Sequence, residues 1–391
     1  MAQSEAKGDL GANRTMSGFK VRGLSLSNFL TLSRTKMPAR DERRRVFICI
    51  ADHYEPMWLR PAPSVQMERV ERWARGYPIM AAGIADSRGR APQHSFFYPQ
   101  DEYLPEHAQP IAELCRQGFG DMEVHLHHDH DTPDGLREKL LSFADTLHHE
   151  HGMLRRDEQG RLSYAFVHGN WALDNSRPDG RWCGVNNEIS ILIETGCYAD
   201  MTMPSAPNPC QTSTVNSIYY ATDDPQQPKS HDRGTAAQVG KSQPDNSLLM
   251  IQGPLALDWS KRKWGVMPGI ENSDLTGNRP ATLARLKLWL GANVHVVGRE
   301  DWTFIKLHTH GAQEANAAMF LDGPMRAFHQ SLARHAAEQS DFKYYYVTAY
   351  EMAALVRQAE GGNTEPNFDF AKGATSMPIE SSVSGAHAAE R

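Results

Sequence analysis

The chain has 391 residues, 40% of them hydrophobic, enough to bury one large core and more than a minimal binding module needs. Its 41 basic and 47 acidic residues leave a formal charge of -6 and are mixed along the chain, so the electrostatic footprint of a nucleic-acid binder is absent. No apolar run is long enough to span a bilayer and the polar, basic start carries no signal-peptide core, which together predict a cytoplasmic protein without a transmembrane segment.

Residues 1–43 read as a polar extension in which 23–32 (GLSLSNFLTL) is predicted as a short helix lying on the body or on a partner. The arginine-rich segment 41–45 turns into the apolar run 46–51 (VFICIA), the pattern of a parallel strand buried on both faces, and this ends directly in Asp52-His53-Tyr54-Glu55. A helix is predicted over 65–82, a strand over 94–98, a helix over 105–117 and a strand over 122–126. The next helix has Thr132 as N-cap, Pro133 at its first position, and Leu136, Leu140, Phe143 and Leu147 at helical spacing. Residues 164–168 are strand-like, and 187–194 are helical, closed by Gly196.

From 203 to 246 the composition shifts to Pro, Ser, Thr, Gln and Asn, a long loop-rich insertion. Strands over 248–251, 255–259, 302–307 and 344–347 follow, with helices over 281–290, 312–339 (broken at Asp322-Gly323-Pro324) and 351–358; residues 361–391 read as a disordered tail. Strands alternating with helices predict an α/β domain over 44–360 on a largely parallel sheet or barrel. No glycine-rich dinucleotide or phosphate loop follows the first strand, which disfavours nucleotide chemistry. The five cysteines form no CxxC pair and read as reduced core residues.

The chemistry gathers at strand ends. In Glu123-Val-His-Leu-His-His-Asp-His-Asp131, alternation puts Glu123, His125 and His127 on one face, so two imidazoles converge at the end of the strand. Asp52 follows a buried run, where a carboxylate is costly unless it meets a metal, an arginine or N–H donors; this makes it the natural oxygen ligand beside them. His53 reads as a ligand, a base or an outer-shell donor. Two further strand ends, His308-Thr-His310 and His168-Gly-Asn170-Trp171, share the composition, and function at the strand ends explains all four at once. Histidines with a carboxylate suit zinc, nickel or cobalt, and hydrolysis rather than redox chemistry. Aromatic residues near these ends, among them Tyr54, Trp58, Tyr98 and Trp171, suit a sugar-binding surface.

Taken in order over about residues 46–356, these motifs resemble the polysaccharide deacetylase superfamily, the NodB-like (β/α) barrels. Ile50-Ala51-Asp52 with His53 stands where the family has Thr-Phe-Asp-Asp, which makes Asp52 the metal-binding aspartate and puts Ala51 in place of the usual base. In the family's His-(Ser/Thr)-x-x-His segment, His127 fits the first ligand; either Asp131 replaces the second histidine or His125 supplies that nitrogen. His168-Gly-Asn170-Trp171 represents Arg-x-Pro-(Phe/Tyr) without its arginine, and Leu307-His308 matches the final Leu-x-His, making His308 the general acid with His310 as the alternative. Glu55, His53 or Asp131 would then replace the missing base.

The resemblance implies a distorted (β/α) barrel of about seven parallel strands with one divalent metal, Zn²⁺ or alternatively Ni²⁺ or Co²⁺, held from Asp52, His125, His127 and Asp131. It implies a substrate surface at His168, Asn170, Trp171, Tyr98 and Tyr54, and removal of acetyl groups from a saccharide or polysaccharide precursor inside the cell or beside the inner membrane. Another metal-dependent hydrolase, such as a glycosidase, and a non-catalytic carbohydrate-binding or scaffold protein are the competing readings; the last predicts no converging histidines. The oligomeric state stays open.

Overall fold

A computed structural model describes residues 20–21, 24–33, 43–263 and 265–370, so most of the expected N-terminal extension and most of the expected tail lie outside the described residues. The first strand of the main sheet, β1 (Arg44–His53), is buried along its whole length and runs two residues past the apolar segment that predicts it. Alternation then gives α1 (Pro63–Ala81), β2 (His94–Pro99), α2 (Pro105–Leu114), β3 (Gly120–Leu126), α3 (Pro133–His149), β4 (Leu162–His168), α4 (Glu188–Glu194) and β5 (Cys197–Asp200). Thr132 caps α3 as its sequence predicts, accepting the Gly135 N–H at 3.1 Å. Helix α2 stops short of residue 117 because the chain widens into a turn at Cys115 and reverses at Gly118, whose φ of 92° lies in the left-handed region.

The polar insertion is held in place by its own amides, with Gln211 Oε1 accepting the N–H groups of Ser205 and Ala206, each at 2.9 Å. It contributes β6 (Ile218–Thr222), which pairs antiparallel with β7 (Ser247–Ile251). A hairpin of β8 (Ala256–Lys263) and β9 (Met267–Glu271) follows, and the N-terminal helix Leu26–Ser33 lies against this region through Leu32, beside Leu255, Leu257 and Ile270. The chain ends with α5 (Leu283–Ala292), β10 (Trp302–Thr309), α6 (Glu314–Leu321), α7 (Pro324–Ala337), β11 (Phe342–Tyr346) and α8 (Ala349–Glu360), the last opened by a Thr348–Glu351 capping box.

Among the described residues one mostly parallel sheet of 11 strands carries the fold, in the order β6-β7-β5-β4-β3-β2-β1-β10, with β11 paired to the first half of β1 and the two-residue strands Thr235–Ala236 and Arg155–Arg156 paired to β6 and β4. One face, the outer, packs under the helices through Val46, Ile48 and Ile50 of β1 against Trp73 and Tyr77 of α1. The other, inner face packs Phe47, Cys49 and Ala51 against Met352, Leu355 and Val356 of α8. The sheet curls about this inner core. Lys306 on β10 donates to the Met201 carbonyl beyond β5 at 2.7 Å, and a Cβ on Gly253, just past β7, would lie 2.3 Å from the Lys306 carbonyl oxygen. All five cysteines are free and buried. No helix among the described residues is long and apolar enough to cross a membrane.

Helix α7 packs through His329, whose Nδ1 lies 2.7 Å from the Tyr346 hydroxyl; burial alone pushes its imidazole down from 6.5 to about 3. The folded state therefore binds fewer protons than the unfolded chain between these values, so this group's contribution is complete above pH 6.5 and is lost as pH falls toward 3. Urea unfolding from neutral pH down to about pH 4 should show a shallower loss of stability for His329→Phe than for the parent. Equal slopes would mean that the histidine is not held neutral.

Candidate metal centre at the strand ends

Because β1 continues to His53, the alternation that sends Ile50 outward sends Asp52 outward too and turns His53 to the inner face. On β3, Val124 and Leu126 belong to the outer core, while His125, and His127 just beyond the strand, point inward. Glu55 follows β1, and His310 follows β10. These side chains meet. Glu55 Oε1 lies 3.3 Å from His125 Nε2 and 3.4 Å from His127 Nε2, and Oε2 lies 3.5 Å from His310 Nδ1. The His53 ring sits 4.9 Å from that of His125 and 4.8 Å from that of His310. Two overlapping groups, Glu55-His125-His127 and His53-Glu55-His310, each bring their donor atoms within 4.8 Å of one another.

Outer-shell bonds orient the rings. His125 Nδ1 lies 2.7 Å from the Val167 carbonyl, and His127 Nδ1 lies 3.2 Å from Asp101 Oδ1, which also accepts the His127 N–H at 3.0 Å. Both partners accept, so each Nδ1 donates and each Nε2 turns toward Glu55, the arrangement in which metal-binding histidines are held. Burial pushes the Glu55 carboxyl up, but hydrogen bonds from His125, His127 and His310 outweigh it and hold the group well below the usual carboxylate range. Burial lowers His127, yet its bonds to Asp101 and Glu55 carry it to about 10. His53 is driven well below its ordinary value, first by burial and then by the neighbouring His310 and His125.

The cluster floors an open cleft of about 580 Å³, walled by Met57, Trp58, Leu59 and Arg60 on one side and by Asn170 and Trp171 on another. Two acidic residues outside the histidine-bearing motifs also line it. Asp101 orients His127, and Glu102 is raised to about 7, by burial first and then by the carboxylates of Glu55 and Asp101. Their signal was present: Gln100-Asp101-Glu102 follows β2 directly and is one more polar strand end.

Other residues predicted for the site stand elsewhere. Asp52 is fully buried on the outer face, accepting from Gly311 N at 2.6 Å and lying 2.8 Å from His94 Nε2, outside the metal-competent groups. Asp131 pairs with Lys139 at 2.7 Å and His128 at 3.0 Å, again outside the cleft. His308 is on the inner face with its ring 6.2 Å from that of His53, behind the donors. Tyr54 and Tyr98 are buried in the outer core, Tyr54 edge-on to Trp73 and Phe96. His168 turns away from the cleft, beside His128, Cys183 and Glu188, whereas Asn170 and Trp171 reach the cleft wall.

Comparison of the sequence with protein-family models and with curated proteins finds no match in either. Asp101→Asn should weaken zinc binding at the cleft by roughly 10- to 100-fold in a competition titration, with little change in thermal midpoint. Asp52→Ala should do the reverse, costing about 3 kcal/mol of stability because it strands His94 and the Gly311 N–H. A selective loss of cleft metal in Asp52→Ala would overturn this division of roles.

Proposed function

We propose that this chain is a metal-dependent hydrolase that removes acetyl groups from a saccharide or polysaccharide precursor, on a divergent deacetylase-like barrel. The observation that carries the reading is the convergence of His125, His127 and His310, from two strand ends, on the single carboxylate of Glu55 at the base of an aromatic-walled cleft. Their donor set fits a borderline cation such as Zn²⁺: two oriented imidazoles and an anionic oxygen, with water access left open from the cleft. Glu55, His125 and His127 would hold the ion. Bound there, it supplies Lewis acidity to polarise an acyl carbonyl and acidify water.

The remaining groups divide the proton transfers. His53, buried on the cleft floor with its ring 4.9 Å from that of His125 and 4.8 Å from that of His310, is placed to act as a base, while His310, with 28% of its side chain exposed on the cleft, stands as an acid at the mouth. In the hydrolysis a water oxygen bonds to the acetyl carbon, its proton passes to His53, the carbon–nitrogen or carbon–oxygen bond breaks, and His310 protonates the leaving amine or hydroxyl. Trp58 and Trp171 offer faces for a sugar ring, and Asn170 a polar contact beside them.

Glycosidic cleavage is the second reading, favoured by the separation between an ionised Glu55 and a Glu102 raised to about 7. It leaves the three histidines around Glu55 without a task.

Incubating untagged protein with acetylated oligosaccharides and measuring acetate and new reducing ends separates the two. Acetate release is expected; Glu55→Gln should abolish it and lose about one ion per chain, while His310→Ala should keep the ion and lower kcat by roughly 10²- to 10⁴-fold. Reducing ends without acetate would favour the glycosidase, and unchanged turnover in Glu55→Gln would defeat both.

A further inference from the structure

On the outer face of the same strand ends a second set of donors closes on itself. His128 follows β3, His168 ends β4, Cys183 lies in the loop beyond it and Glu188 opens α4, and all four are buried. Their donor atoms lie within 4.8 Å of one another. The His128 and His168 Nε2 atoms are 2.8 Å apart, Glu188 Oε1 is 3.4 and 3.6 Å from them, and Cys183 Sγ is 3.3 Å from Glu188 Oε2. A tetrahedral zinc with ordinary bonds sets its donors about 3.3–3.8 Å apart, so a small contraction and expansion of these spacings accommodates one ion.

The outer shell fixes what the donors present. His128 Nδ1 faces Asp131 Oδ2 at 3.0 Å and His168 Nδ1 faces the Gly169 carbonyl at 2.5 Å. Both partners only accept, so each ring carries its proton on Nδ1 and aims an Nε2 lone pair at the other. Glu188 Oε1 is buried there without a hydrogen-bond partner. Cys183 Sγ accepts the N–H groups of Asn175 at 3.3 Å and Val185 at 3.4 Å and, as a thiol, donates to Glu188 Oε2 at 3.3 Å, the proton that a metal ion would displace. Two imidazole Nε2 atoms, a carboxylate oxygen without a hydrogen-bond partner and a cysteine sulfur around one buried point call for a positive charge among them, which a shared proton or a metal ion supplies.

We propose that His128, His168, Cys183 and Glu188 hold a second, structural zinc ion, distinct from the cleft centre. Imidazole, thiolate and carboxylate together exclude the hard cations magnesium and calcium, and four protein ligands without solvent access make a closed site rather than a catalytic one. The ion ties the ends of β3 and β4 to the loop over 169–187 and to α4. Its neighbours in sequence are cleft residues: His127 precedes His128, and Asn170-Trp171 follow His168 by two and three positions.

The test is cobalt substitution in the full, untagged chain, followed by near-ultraviolet absorption. A thiolate-to-cobalt charge-transfer band is expected in the parent and in Glu55→Gln, and should vanish in Cys183→Ser and in Cys183→His, which keeps a nitrogen donor. A band present in the parent and in Glu55→Gln supports this site even if the chain releases no acetate, so the two proposals fail separately. Folded, cobalt-treated parent protein with no thiolate band would overturn it and leave a proton-bridged histidine pair as the account of the geometry. The Cys183 variants are not needed for that outcome, so a folding defect in them cannot rescue the proposal.

Discussion

Asp52, with no exposed surface, accepts the Gly311 N–H at 2.6 Å on one oxygen and meets His94 Nε2 at 2.8 Å on the other, while Trp73 Nε1 donates to the Gly311 carbonyl at 2.8 Å. Three bonds thus fasten the turn after β10 to β1, β2 and α1. A buried carboxylate is costly when stranded and firm when its oxygens are occupied, so the clamp has one stable arrangement. It also dictates a glycine: a Cβ at position 311 would lie 2.1 Å from Asp52 Oδ2 and 2.7 Å from the Trp73 ring. The turn delivers His310 and β1 delivers His53 and Glu55, and the clamp joins these two segments through a bond between residues 259 positions apart in sequence.

Strand alternation then sorts the remaining chemistry. Successive residues at a strand end point to opposite faces, so neighbours in sequence become members of different clusters. Asp52 goes to the clamp and His53 to the cleft. His127 faces Glu55 on the inner side, and His128 faces His168 and Glu188 on the outer side. The dense His-His-Asp-His-Asp run is therefore two half-sites laid back to back, with Asp131 serving the outer one through His128 and Asp101, from a different strand end, serving the inner one through His127.

This explains which parts of the molecule the sequence made readable. Apolar runs marked the buried parallel strands, and caps such as Thr132 marked the helix starts, because those signals are local. The convergence of His125 and His127 was readable from period-two spacing. The place of Asp52 was not: the apolar run stops at Ala51, but strand pairing with β2 and β10 carries β1 on through Asp52 and His53, and those two residues reverse which side chain enters the cleft. Cys183 and Glu188 were equally hidden, since neither stands in a spaced motif and their meeting with His128 depends on how an irregular loop folds back. Asp101 and Glu102 were visible in principle as another polar strand end, but without histidines beside them they gave no distinctive pattern.

That irregular loop shows why a second anchoring point matters to the first site. Asn170, Trp171, Asp174, Asn175 and Trp182 all have φ between 51° and 68°, a region that asparagine and aspartate visit readily but that costs roughly 1–2 kcal/mol for each of the two tryptophans. Trp171 is the most demanding, being bulky, and it is the residue that walls the cleft. A segment whose regular structure is two short 3-10 turns, with tryptophans in the left-handed region, keeps its shape only if its surroundings over-determine it. Hydrogen bonds to other segments do part of this: Asp174 accepts the Ser230 N–H at 2.6 Å, and the Trp182 N–H reaches Asp129 at 2.7 Å. The His128-His168-Cys183-Glu188 cluster holds the loop where it begins, at His168, and near its end, at Cys183 and Glu188, while Trp171 in between lies edge-on to His310 in the cleft. The wall of the cleft and the buried cluster are in this sense one mechanical unit, and the open site can be shaped by strained backbone because the closed one restrains it.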